Sequence, residues 1–301
     1  MARPLEILNL TVCGILLVLA VVTGPAGRLP GWAALAAQYA LMTGGVLLVV
    51  RVARRGVDSL PPAAALVIDL YPALLVPLVF DSLGPLIPAV NPAANPGRDA
   101  WLVAADRFLF GVDPTVWLQR FVRPWLTDVM YVAYCLYFVM PFAVAGYIWR
   151  RRTVGDLRRY IFIVVLSFFT SYVGYFLVPA KGPRVALAEA HSVPLQVTPI
   201  SRAVADGMNF VERNKNDVFP SGHVMVTAVC LLLALQLNRR LFLLLLPIGV
   251  GVFVSTVYCR YHYVIDVIAG LVLALPMPWV GERLYERLGG AGQKTRIEDG
   301  G

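Results

Sequence analysis

Apolar residues along this 301-residue chain fall in blocks of about twenty, separated by short breaks rich in Arg, Gly and Pro. A block of that length, wound as a helix rising 1.5 Å per residue, crosses about 30 Å of hydrocarbon. Eight such spans can be drawn, over about 7–23, 32–50, 62–80, 126–149, 158–178, 221–238, 240–258 and 261–280. The third holds Pro72, Pro77 and Asp69 and departs most from a straight helix, although proline is tolerated in a membrane helix whose neighbours satisfy the freed carbonyls. The pattern predicts an all-α, polytopic membrane helix bundle with no internal repeat and no second domain. Two connections are long. Residues 81–125 open with "DSLGPLIPAVNPAANPGRD", whose Pro, Asn and Gly read as a loop. Next comes "DAWLVAADRFLFGVDPTVWLQRFV", a helix near 99–122 expected to lie in the membrane interface, anchored by Trp101 and Trp117. The second connection, 179–217, is polar and turn-rich, and the tail "GGAGQKTRIEDGG" is expected to be disordered.

Composition sharpens the class. The chain is 58% hydrophobic and only 15% charged, against about 25% charged in a soluble domain. A net charge of +8 would suggest nucleic acid in a soluble protein. Here most arginines flank apolar blocks, no nucleic-acid motif is present, and no nucleic-acid partner is expected. With eight spans the two ends share a side, and that side collects Arg3, Arg51, Arg54, Arg55, Arg150, Arg151, Arg152, Arg158, Arg159, Arg239, Arg240, Arg283, Arg287, Lys294 and Arg296. The bias places both termini in the cytoplasm, in what is expected to be the plasma membrane. Residues 1–30 resemble a signal peptide, but the apolar part is long and lacks a clear cleavage triplet, so it reads as an uncleaved first span. Cys13, Cys135, Cys230 and Cys259 form no CxxC and read as packing residues.

The same parity brings chemistry together. The fifth span exits on the outer side at "VPAKGPR", the sixth enters at "DVFPSGH", and the seventh and eighth meet around "STVYCRYHYVIDVIAG". Lys181, Arg184, Ser221, Gly222, His223, Arg260, His262 and Asp266 thus reach one membrane face, where ionisable groups mark function. Arginine and lysine neutralise phosphate oxygens. Ser221 and Gly222 open a helix whose first amides can bind an anion, and Gly222 allows close backbone approach. His262 and Asp266 are four apart, so the carboxylate can orient the ring for attack on phosphorus, with His223 as the acid for the leaving oxygen. A metal held by His223, His262 and Asp266 is the competing reading. The surrounding cations would repel it, so neither metal nor cofactor is expected. His191 reads as structural. Asp69 reads as bonded to a nearby Tyr or backbone group.

On "KGPR", "PSGH" and "HYVIDVIAG", in that order over about 179–270, the chain resembles the type 2 phosphatidic acid phosphatase superfamily. The resemblance implies a six-helix core over 59–283, preceded by two helices over 1–58 and followed by a tail at 284–301. It implies metal-independent transfer through a phosphohistidine, with His262 as nucleophile, Asp266 as its orienter and His223 as general acid. Lys181, Arg184, Ser221 and Gly222 then bind phosphate. Where the phosphatases read Ser-Arg before the nucleophile, this chain has Ser255 and Thr256, with Arg260 nearby, and its first motif is compressed. Thr256 and Tyr258 resemble the inositol phosphorylceramide synthase branch, whereas Gly222 resembles the phosphatases. The expected activity is hydrolysis of a lipid phosphate at the extracytoplasmic face. The alternatives are a phosphotransferase moving a phospho-headgroup between lipids, and a non-catalytic lipid transporter. The lipid and the oligomeric state are not specified by the sequence.

Overall fold

Helices form over every apolar block, and they stop where the backbone loses a donor or gains a cap. In the computed structural model, which describes residues 2–56, 61–196, 198–211 and 214–290, the order is α1 (Pro4–Thr23), α2 (Trp32–Arg54), α3 (Pro62–Asp69), α4 (Pro72–Val90), α5 (Asp99–Phe110), α6 (Pro114–Trp117), α7 (Pro124–Cys135) and α8 (Met140–Arg151). It continues with α9 (Val154–Leu177), α10 (Pro183–Ala186), α11 (Pro199–Val211), α12 (Gly222–Leu237), α13 (Arg239–Tyr258), α14 (Val264–Ala274) and α15 (Met277–Tyr285). Thr153 and Asp156 form a capping box that starts α9. Asn238 ends α12 and caps α13, its side chain accepting from the amides of Arg240 and Leu241.

Among the described residues, five stretches are long and apolar enough to cross a bilayer alone: Pro4–Thr23, Trp32–Arg54, Ala65–Val90, Val154–Leu177 and Arg239–Tyr258. Two more are pairs bent at a break, Pro124–Phe138 with Met140–Arg151 by 46° and Val264–Ala274 with Met277–Gly290 by 43°. Pro141 and Pro276 stand at these bends, each removing an amide from the helical ladder. The shorter apolar helix α12, of 16 residues, lies where the sixth span was expected. The protein is an all-helical integral membrane bundle, compatible with about eight spans.

α12 is the hub. It is apolar all round and is buried without interruption from Gly222 to Leu231, as expected of a helix enclosed by others. It packs against α8, α9, α13, α14 and α15, while α1 lies on α2 and reaches α4 and α9. This arrangement brings the C-terminal end of α9, the start of α12, the end of α13 and the start of α14 to one end of the bundle.

Several local expectations change. The loop predicted from residue 81 begins only at Asn91, because α4 continues through Pro85 and Pro88. Leu83, Leu86 and Ile87 are fully buried on that stretch, and their packing outweighs the proline breaks. The interfacial helix is shorter than 99–122. Gly111, at φ 71°, ends α5, and only short turns follow over Pro114–Trp117 and Leu118–Phe121. The polar second connection contains α11, which buries Ser201, Ala205 and Met208 at helical spacing. Helical turns continue from α15 to Gly290, into the stretch expected to be a tail; residues 291–301 lie outside the described residues.

At the end of the bundle opposite those four helix ends, Asp69 does not bond to a Tyr or to backbone as expected. Its carboxylate is held between two guanidiniums, Arg3 and, at 2.9 Å, Arg158. Arg3 also pairs with Glu6 at 2.5 Å. The lone acid of the third span is therefore the link that joins α1, α3 and α9.

Candidate active site

The site is built on three turns. The first follows α9. Gly182 has φ 87°, in the left-handed region, and a Cβ there would lie 3.0 Å from the carbonyl oxygen of Tyr261. Only glycine lets this turn press against the 260–263 segment, and Lys181 and Arg184 flank it. The second turn precedes α12. Ser221 caps the helix, its Oγ accepting from the Val224 amide at 3.4 Å, and its own amide donates to the Asp266 carbonyl at 3.1 Å. A Cβ at Gly222 would meet Tyr175 Oη at 2.5 Å, so α12 and α9 approach as closely as the missing side chain allows. The third turn joins α13 to α14. Arg260 adopts φ 63°, a costly conformation for a residue with a Cβ, of a kind often found at functional sites. Its Nη2 donates to the Val193 carbonyl at 2.6 Å.

Lys181, Arg184, His223, Arg260 and His262 line one cavity of about 740 Å³. Gly222 borders a neighbouring apolar cavity instead. Ser221 and Asp266, both fully buried, stand behind the wall. The same polar cavity is lined by residues not singled out in the sequence: Asn209, Asn214, Lys215, Asp217, Tyr134 and Tyr261. Lys215 and Asp217 sit in the polar run "NKND" that abuts "VFPSGH", which was the signal available for them. Asn209 comes from α11, whose apolar period was masked by its polar composition. Among the described residues, four cationic side chains face one carboxylate in this cavity, so their field favours an anion.

His262 Nε2 lies 3.4 Å from His223 Nδ1. His262 Nδ1 is 2.9 Å from the Val218 carbonyl oxygen and 3.5 Å from Asp266 Oδ2. The primary partner of the ring is therefore a backbone carbonyl, not the carboxylate four residues on. The helical spacing argument does not apply because α14 starts only at Val264, so His262 precedes the helix. Asp266 Oδ2 instead caps that helix, accepting from the Tyr263 amide at 2.8 Å. A carbonyl can only accept, so Nδ1 of His262 carries the proton and Nε2 presents a lone pair. The facing Nδ1 of His223 is then the donor of the contact.

His223 is held by rings on both sides, Tyr134 at 4.6 Å and Tyr137 at 4.4 Å between centroids. Tyr134 stacks on Tyr261 at 4.3 Å, and the guanidinium of Arg184 lies 3.7 Å over Tyr261. This stack runs from the Arg184 guanidinium to the imidazole and holds both. His191 lies outside the cavity lining, with Nε2 3.2 Å from Thr115 Oγ1. Burial, and then the positive charge of Arg260, pushes its imidazole down to about 4, in keeping with a neutral structural ring.

The second cavity, of about 1150 Å³, is an apolar groove between α4, the helical turn Leu136–Phe138, α8 and α9. Leu70 and Tyr160 line it near the Asp69 end, and Tyr175, Asp217, Gly222 and His223 line it at the site. From Tyr160 to Tyr175 along α9 is about 22 Å at 1.5 Å per residue. The groove thus runs through most of the bilayer depth and ends on His223, which both cavities share.

The class is thus a polytopic helical membrane protein with cations and paired imidazoles around one cavity, whose charge suits an anion. The profile of the PAP2 superfamily matches residues 100–279, more than half of the chain. The chain belongs to this superfamily, whose members are generally phosphatases or phosphotransferases. Comparison with curated proteins and with solved structures gives no significant match.

Proposed function

We infer that the protein is a lipid phosphoesterase acting through a phosphohistidine at the extracytoplasmic face. Supporting this reading is the meeting of a cationic cavity and a membrane-deep apolar groove at one histidine pair. The phosphoryl group enters the cationic cavity, where Arg184, Lys181 and Arg260 balance its charge, and the alkyl part lies in the groove. It replaces the contact between the two rings. The lone pair on His262 Nε2 forms the bond to phosphorus as the bond to the lipid oxygen breaks, and His223, entering as the imidazolium, passes its Nδ1 proton to that leaving oxygen and is left a neutral ring. His223, now a base, takes a proton from water, which attacks phosphorus and releases phosphate from His262. The Val218 carbonyl keeps His262 in the reactive tautomer and stabilises its imidazolium, with the Asp266 carboxyl 3.5 Å away as a more distant acceptor. Supporting the extracytoplasmic side are the basic ends: Arg54, Arg150, Arg151, Arg158, Arg159 and Arg239 lie at the helix ends opposite the cavity.

A second reading, transfer of a phospho-headgroup to a lipid alcohol as in inositol phosphorylceramide synthases, draws support from Thr256 and Tyr258 and from the polar cavity's extra amides, Asn209 and Asn214. Its acceptor hydroxyl would be deprotonated by the same His223. Purified protein given a labelled lipid phosphate separates the two. Phosphate released without added lipid alcohol supports hydrolysis, and strict dependence on that alcohol overturns it. Acid quench during a single turnover should leave a labelled, acid-labile phosphoryl group on His262, and its absence would sink the covalent step.

A further inference from the structure

The interfacial helix α5 has two faces with different partners. Outward, Trp101 and Phe108 are 63% and 88% exposed and lie seven residues apart on one edge. They are an apolar edge at the end of a membrane bundle, suited to the headgroup–acyl boundary. Inward, Asp99, Leu102 and Asp106 are buried. Asp99 accepts the amide of Lys181 at 2.9 Å, the amide of Gly182 at 2.7 Å and the hydroxyl of Tyr263 at 2.9 Å. Asp106 accepts the amides of Val264 at 3.0 Å and Ile265 at 2.8 Å. Leu102 packs with Ala180, Val218 and Tyr263 between them.

These two carboxylates grip the two sides of the site. Asp99 holds the turn that carries Lys181 and Arg184, and Asp106 holds the start of α14, directly after His262. The Val218 carbonyl that fixes His262 sits in the cluster beneath Leu102. Burying a carboxylate is costly unless its oxygens are satisfied, and here every acceptor contact is spent on the backbone or on a residue adjoining the site. Burial, with a smaller push from the charge of Asp113, raises the Asp106 carboxyl above its ordinary range, and the amides of Val264 and Ile265 oppose that rise.

We propose that α5 is a membrane-seated clamp: lipid contact through Trp101 and Phe108 holds Asp99 and Asp106 in place, and these two positioning residues set the phosphate-binding turn and the nucleophile segment relative to each other. The proposal rests on the phosphoesterase reading for its kinetic consequences, but its structural part does not. It implies that turnover depends on a lipid surface even for a water-soluble phosphate monoester.

The test uses the full chain in phospholipid nanodiscs, with p-nitrophenyl phosphate as substrate and hydrogen exchange followed over 179–186 and 261–267. Phe108→Asp, which removes lipid contact, should speed exchange about tenfold in both segments and lower kcat about tenfold, with the melting temperature unchanged. Phe108→Ser serves if the aspartate variant does not assemble. Asp99→Asn keeps one acceptor oxygen and loses the one nearest the Lys181 amide. It should loosen 179–186 alone and raise KM. Asp106→Asn should loosen 261–267 alone and lower kcat. Unchanged exchange in both segments with Phe108→Asp and Phe108→Ser overturns the clamp. A purely structural role for the carboxylates, showing equal loss in both segments without the split between KM and kcat, overturns it as well. If wild-type protein turns over no phosphate ester while the exchange changes appear as described, the clamp stands and the phosphoesterase reading falls.

Discussion

Both ends of this bundle bury charge, and they do so in opposite ways. At one end Arg3, Glu6, Asp69 and Arg158 form a balanced group, two guanidiniums against two carboxylates, in which Asp69 bridges both arginines. At the other, four cationic side chains and one carboxylate among the described residues surround an open cavity. The first group is closed: its charges neutralise one another and tie α1 to α3 and α9. The second keeps a net positive field and room beside it. Ionisable residues in a membrane protein are thus not by themselves a site. The surplus of one sign, together with space for the missing charge, separates a binding centre from a rivet.

Substitutions can break or sharpen that contrast. The largest effect is expected from His262→Ala at the open end: several orders of magnitude in turnover, since the covalent step has no substitute, with thermal stability in detergent nearly unchanged. Residual activity above a few per cent would exclude His262 as nucleophile. Asp69→Ala at the closed end should do the reverse. It leaves two guanidiniums buried without their shared carboxylate, a loss of about 3–5 kcal/mol, seen as a lowered melting temperature. Turnover by the fraction that remains folded should change little, and a selective fall in kcat would show that the far cluster is coupled to the chemistry. Arg184→Ala should cost about 1.5–3 kcal/mol of interaction with the charged phosphate. That is a fall of about tenfold to a hundredfold in kcat/KM. Loss of the stacking cation over Tyr261 should also free the His223 ring, readable as broadened imidazole resonances. The smallest effect belongs to Glu282→Gln. Its pair with Arg159 at 2.6 Å is partly exposed, so a change of about 0–1 kcal/mol is expected, within reach only of careful melting curves.

Legibility differed between the two ends for a physical reason. Motif residues announced the open end, because Lys181, Arg184, His223, Arg260 and His262 lie at span ends and parity of crossings sends those ends to one side. Asp69 gave no such sign of its partners, which come from residues 3 and 158 and meet it only after three helices pack. The supports of the site were equally silent. Asp99 and Asp106 read as polar residues of a surface helix, and nothing local shows that their contacts are amides some 80 and 158 residues further along. Asp266 shows a different case. His262 precedes the helix, so the turn and not helical spacing brings its Nδ1 to 3.5 Å from the Asp266 carboxylate, with the Val218 carbonyl nearer at 2.9 Å.

Hydrophobic periodicity, then, determined by itself that the chain is a bundle of membrane helices, because an apolar block of bilayer length has few alternatives to a helix that satisfies its own backbone. The charge pattern and the order of the spans were enough to bring the ionisable residues to one face. Which atoms meet was decided by tertiary packing alone: the Val218 carbonyl on His262, the tyrosines around His223, the arginines on Asp69 and the carboxylates of α5 under both turns. These contacts join segments far apart in the chain, and their geometry is fixed by how closely helices approach one another, a quantity that no single stretch of sequence contains.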